Sequence, residues 1–197
     1  MIRTLLLAAF VATPATAAPL DEVAASLAAT TSMTARFTQT ASDGRVATGR
    51  MQLVRPGKIR FDYDKSKLLI VADGRALSMI DYKVGQVSQW PIRNSPLAAL
   101  LDPAKDLARV ARVIDSPPSQ VRVAARDPKR PDYGTLTMVF VRRADAPGGL
   151  ALAGWTALDA QNNRTEVVLS EVRSNVAIAA SAFRFRDPRT RTPGRVG

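Results

Sequence analysis

The stretch from Arg50 to Trp90 constrains the fold more than any other part of the chain. It holds short apolar runs of strand length, each ended by turn residues. Arg55-Pro56-Gly57-Lys58 places Pro and Gly at the centre of a type II turn. Asp73-Gly74 is a hairpin signal between two apolar runs. Asp64-Lys65-Ser66-Lys67 and Lys83-Val84-Gly85 supply the other breaks. The stretch therefore reads as five short strands. Their neighbours must be antiparallel, because a parallel crossover needs about a dozen or more residues.

Successive strand residues point to opposite sides of a sheet. Ile59, Phe61 and Tyr63 share one side, continued by Met51 and Leu53 before them and by Leu77 and Met79 after them. Lys58, Arg60 and Asp62 share the other side. The sheet is expected to have one greasy face and one wet face. Arg55 breaks the pattern, since its parity matches Met51 and Leu53. Either it leaves the sheet at the strand end and is solvated, or its fixed fork of donors finds partners at the edge of the apolar face.

The rest of the chain extends this picture. Pro19 to Thr30 carries Leu20, Val23, Ala24, Leu27 and Ala28 at helical spacing, with Asp21 and Glu22 in the first turn. Met33 to Thr40 reads as a strand, turned at Asp43-Gly44 into the strand that reaches Val54. Ser95-Pro96 is a helix start, with Leu97, Leu100 and Leu101 on a small apolar edge. Asp102-Pro103 restarts a second short helix carrying Leu107. Pieces this short need an apolar surface to lie on, and the greasy face of the sheet offers one. Further strands are expected over Val110–Asp115, Gln120–Arg126, Thr135–Val141, Leu150–Leu158, Thr165–Val172 and Phe183–Arg186. Leu136, Met138 and Phe140 share a side, and Trp155 lies in the strand that follows. About ten antiparallel strands with one leading helix and one helical interruption imply a mainly β, α+β fold: a sheet curled into an open half barrel. Such a sheet either fills its mouth with side chains or keeps a ligand cavity.

Residues 1–17 have the order of a secretory leader: Arg3, an apolar run from Leu5 to Ala12, and Ala15-Thr16-Ala17 as the cleavage site. Residues 18–186 would then form one domain, exported and soluble, and 187–197 an Arg- and Pro-rich tail. The chain has no cysteine and no histidine. Disulfides, a lipid-modified cysteine, and Ser-His-Asp or Cys-His catalysis are thereby excluded. The carboxylates Asp62, Asp64, Asp73 and Asp81 sit at turns or on the wet face, which argues against a hydrolase. There is no phosphate loop and no dinucleotide fingerprint, so neither a cofactor nor a metal is expected. The net charge of +11 suits an anionic surface or an acidic partner. Nucleic acid is not expected, because the aromatics fall on the greasy side, away from the basic residues.

Several pieces occur in a familiar order. They are FTQT at Phe37–Thr40, GRMQLVRPGKIRFDY at Gly49–Tyr63, IVADG at Ile70–Gly74, NSPLAALL at Asn94–Leu101 and FRF at Phe183–Phe185. In this the chain resembles the periplasmic outer-membrane lipoprotein carriers, the LolA-like family. The resemblance implies an open antiparallel barrel with a helical lid over an apolar cavity, and a non-enzymatic monomer in the periplasm. The cavity would receive acyl chains of lipoproteins from an ABC-type release complex of the inner membrane. The carrier would hand them to an outer-membrane acceptor, if one is present. It further implies that Arg55 locks the lid and that Leu97, Leu100 and Leu101 belong to the lid. Ile59, Phe61 and Tyr63 match positions where the family has apolar lining residues, and Met51, Leu53, Ile70, Leu77, Met79, Trp90, Met138, Phe140 and Trp155 are the further candidates for the cavity wall. A carrier of another lipid and an envelope stress sensor or scaffold are the alternatives on the same fold.

Overall fold

The computed structural model describes residues 19–92, 98–129 and 131–189. Helix α1 (Pro19–Ala29) leads into strands β1 (Ser32–Thr40), β2 (Val46–Val54), β3 (Lys58–Tyr63), β4 (Leu68–Asp73), β5 (Ala76–Asp81) and β6 (Gln86–Pro91). Two short helices follow, α2 (Ala98–Leu101) and α3 (Pro103–Val110). The chain then forms β7 (Ala111–Ile114), β8 (Gln120–Ala125), β9 (Thr135–Arg142), β10 (Leu150–Leu158) and β11 (Arg164–Ser174). These strands make one antiparallel sheet of 11 strands in the order β6-β5-β4-β3-β2-β1-β11-β10-β9-β8-β7. Its edges are β6 and β7, so the sheet is an open half barrel, and the helical segment is the connection from one edge to the other.

Register explains why one face buries. Met33↔Leu53, Met51↔Phe61, Leu53↔Ile59, Ile59↔Ala72, Leu152↔Phe140 and Trp155↔Met138 sit opposite one another across neighbouring strands. Their side chains join Val23 and Leu27 of α1, Leu100 and Leu101 of α2, and Leu107 of α3 in one cluster. The concave face is thus covered by the helices' apolar sides. Full burial of each such side chain contributes roughly 1.5–3 kcal/mol. That packing, and not intrinsic propensity, holds α2, which has only four residues. Gly49 is required where it stands: a Cβ there would lie 2.1 Å from the Asp62 carbonyl oxygen and 2.5 Å from the Phe37 ring.

The expected wet face is only half wet. Leu69, Val71 and Ile80 point to the convex side and are buried there with Phe183. Val54, Val87, Ile178, Ala182 and Phe185 pack against this second cluster. The C-terminal segment therefore crosses the outside of β3 and β4 as a strap, with a 3-10 turn at Ala180–Phe183. The strand expected at Phe183–Arg186 is not formed. The alternation Phe-Arg-Phe-Arg is real, but Phe183 buries itself against the outer face instead of joining a ladder. Likewise Val110, expected in a strand, ends α3, and the strand starts at Ala111.

Candidate functional site

The β2–β3 turn brings Arg55 to the ends of two helices. Its backbone N–H donates to the Thr31 carbonyl at 2.9 Å, and the Gly57 N–H donates to the Leu101 carbonyl at 3.0 Å. Gly57 has φ 78, the conformation the turn expected from the sequence demands at that position. The guanidinium reaches further. Nη1 donates to the Thr30 carbonyl at 2.5 Å and Nη2 to the Leu100 carbonyl at 3.3 Å. Carbonyls at helix C-termini have no intrahelical partner, so they are natural acceptors for such a group. One arginine thus ties the end of α1 to the end of α2.

The tie is electrostatically uncompensated. Nε of Arg55 is buried without a hydrogen-bond partner. Among the described residues no carboxylate bonds the side chain, and burial alone pushes its pKa down to about 10. Beside it lies a cleft of about 400 Å³ lined by Ala24, Leu27, Ala28, Thr31, Arg55, Pro56, Leu101 and Asp102. The cleft is mainly apolar, and Arg55 stands on its wall.

Behind the helices the concave face is aromatic. Phe37 packs edge-on against Phe61 at 5.4 Å and against Tyr63 at 5.1 Å, and Phe61 meets Trp155 at 6.1 Å between ring centroids. Tyr63 donates its hydroxyl to Gln39 Oε1 at 2.8 Å, and burial raises its pKa to about 12.

Most residues named from the sequence come together here. Met51, Leu53, Ile59, Phe61, Leu77, Met138, Phe140 and Trp155 are buried in the concave cluster with Leu100 and Leu101. Tyr63, Ile70 and Trp90 are partly buried against it. Met79 is half-buried and belongs to neither cluster. Leu97 lies outside the described residues.

The sequence reading missed three contributors. Phe37 is the centre of the aromatic group, although only its strand was recognised. Asn175 accepts from both the N–H and the hydroxyl of Thr31 and donates to the Ala29 carbonyl at 3.0 Å, which fixes the end of α1 where Arg55 reaches it. Ser26, 2 % exposed, donates to the Leu150 carbonyl at 2.6 Å and pins α1 to β10. Ser26 sits among small residues on the helix face, and Asn175 lies far along the chain; neither carries a local signal for these roles.

Comparison with known proteins gives the family. Residues 28–186 match the family model described as outer membrane lipoprotein carrier protein LolA. An outer-membrane lipoprotein carrier protein of Chromobacterium violaceum is 28 % identical over 96 % of this chain and 93 % of its own length. One from Methylobacillus flagellatus is 30 % identical over 95 % and 94 %. Among solved structures, the MucA/MucB complex of Pseudomonas aeruginosa aligns with a TM-score of 0.49 at 14 % identity, over 86 % of this chain and 62 % of that one. The chain belongs to the outer membrane lipoprotein carrier family, whose members are carriers and not enzymes.

Proposed function

We propose that this protein is a periplasmic carrier whose concave apolar face receives the acyl chains of lipoproteins released from the inner membrane and delivers them to the outer membrane. The observation that carries this reading is the Arg55 tie, which holds helices over an apolar face through two main-chain acceptors, with no carboxylate among the described residues bonded to it. On this reading the helices lie on the apolar face as a closed lid. Met51, Leu53, Ile59, Phe61, Tyr63, Ile70, Leu77, Trp90, Met138, Phe140 and Trp155 then contact the acyl chains once Leu100 and Leu101 move aside.

The energetics fit a carrier. Each buried methylene contributes about 0.8 kcal/mol, so a long acyl chain gains on the order of 10 kcal/mol. Release needs an opposing term. In the closed arrangement Leu100, Leu101 and Leu107 cover the apolar face, and the cargo must displace them and break the Arg55 bonds. The cargo's net gain is reduced by the cost of opening, which keeps transfer reversible. The moving part is α2 with α3. Helix α1 stays, because Ser26, Asn175 and the Glu22–Arg142 ion pair anchor it to the sheet.

Arg55→Leu should leave the lid open and the cargo retained. Transfer of a diacylated lipoprotein from the purified variant to acceptor membranes measures this. Transfer at the wild-type rate would remove Arg55 from the mechanism. Mass spectrometry of lipid extracted from the protein purified out of the periplasm identifies the cargo: diacylated lipoprotein supports the reading, and a free glycolipid replaces it with another lipid carrier.

A further inference from the structure

At the end of β3 opposite Arg55, about 17 Å away by strand rise, two turns meet. The β3–β4 turn carries Lys65 and Lys67, and the β5–β6 hairpin carries Tyr82, Lys83 and Val84. They are joined by a hydrogen bond from the Tyr82 N–H to the Lys67 carbonyl at 2.9 Å. Val84 is 67 % exposed and Tyr82 37 %. All three lysines are exposed, and among the described residues no carboxylate pairs with them. The local acids are occupied: Asp64 is held by Arg36 and Thr48, and Asp81 accepts the Lys83 backbone N–H.

We propose that this rim is a contact surface for an anionic lipid bilayer. Charge selects the partner. Unpaired lysines flanking a protruding valine and a tyrosine are the arrangement that an anionic headgroup layer attracts, with the apolar tips entering the interface. One other exposed apolar residue lacks this setting. Val168, 53 % exposed, sits on the outer face among Thr38, Gly154 and Ser170. The rim also gives the chain's excess positive charge a use that the apolar cavity does not. It would bring the carrier to a membrane directly, independently of how the lid works.

Flotation with vesicles tests the surface, using phosphatidylglycerol mixed with phosphatidylcholine against phosphatidylcholine alone. The wild-type protein should float with the anionic vesicles only and be released by added salt. Replacing Lys65, Lys67 and Lys83 together by Gln should weaken partitioning about a hundredfold. Val84→Asp should weaken it about tenfold, and Val168→Asp should leave it unchanged. Loading of a diacylated lipopeptide, measured on the same samples, should be the same for all of them. That loading reports the carrier reading separately, so failure of either is visible without the other. Absence of wild-type binding to anionic vesicles, wild-type binding by the triple variant, or equal losses from Val84→Asp and Val168→Asp would overturn the proposal.

Discussion

Two arginines near one hairpin hold the two covers of the sheet, and they do so in opposite electrostatic ways. Arg55 holds the helices on the concave side through the Thr30 and Leu100 carbonyls. Arg60 holds the strap on the convex side through the Ala182 and Arg184 carbonyls at 2.9 and 3.2 Å. Arg60 also grips Asp62 with a two-pronged bond, 2.7 Å on each side, and that bond raises its pKa. Among the described residues no carboxylate bonds Arg55, and burial lowers its pKa. Burying a charge is costly unless it is paired and hydrogen-bonded. The Arg60 clamp is compensated and suits a permanent fixture. The Arg55 clamp regains hydration of its charge and of its orphaned Nε when it lets go, which suits a lid. Identical donors and identical kinds of acceptor thus give a fixture on one face and a releasable latch on the other.

This contrast can be broken by mutation. Arg60→Ala removes two main-chain bonds and leaves Asp62 without its partner, so it should destabilise the fold by about 2 kcal/mol. Amide exchange should rise across the strap from Val176 to Arg186, while the lid keeps its protection. If the lid loosened equally, the two clamps would not be independent. Ala28→Glu tests the converse. Ala28 shares the cleft wall with Arg55, so a carboxylate there would give the guanidinium a partner that no carboxylate among the described residues supplies by a direct bond. The latch should tighten by about 1 kcal/mol, slowing lipopeptide loading about fivefold, less a small penalty for an acid near the end of α1. Loading at or above the wild-type rate would contradict the claim that lack of a counter-charge makes the latch releasable.

Acid should separate the faces by the smallest margin. The Asp64 carboxyl is held below its ordinary range first by its bond to Arg36 and then by Thr48. Its folded pKa is lowered, so the unfolded chain takes up a proton at higher pH. The stabilisation is present above the ordinary carboxylate value of 3.8 and fades as pH falls through and below it. The acceptors of Arg55 are carbonyls and do not titrate in this window. Denaturant midpoints between pH 5 and 3 should fall less for Asp64→Asn than for the wild type, while protection of the lid amides should hold.

Much of the concave side was legible in the sequence. Period-two alternation in Met51–Leu53 and Ile59–Tyr63 identifies the buried face, and Arg55 stands out because its parity sets a charge against it. The convex strap was not read, though half of its signal was present. Leu68–Ala72 is a continuous apolar run, the mark of a strand buried on both faces, and such a run states that a second cover exists. It does not state what the cover is. Phe183 and Phe185 alternate with arginines as an edge strand would, and only the long-range packing against Leu69, Val71 and Ile80 decides otherwise. Asn175 and Ser26 illustrate the same limit, since their partners lie 146 and 124 residues away.

The Gly57 amide offers the most direct test of the latch, because it donates to the Leu101 carbonyl and so reports contact between the turn and α2. Its hydrogen exchange should be slow in the empty wild-type protein. It should become as fast as an exposed turn amide both in Arg55→Leu and when a diacylated lipopeptide is bound. Exchange that stays slow in the loaded protein would mean that α2 does not leave the turn when cargo enters, and the latch would have no part in carriage.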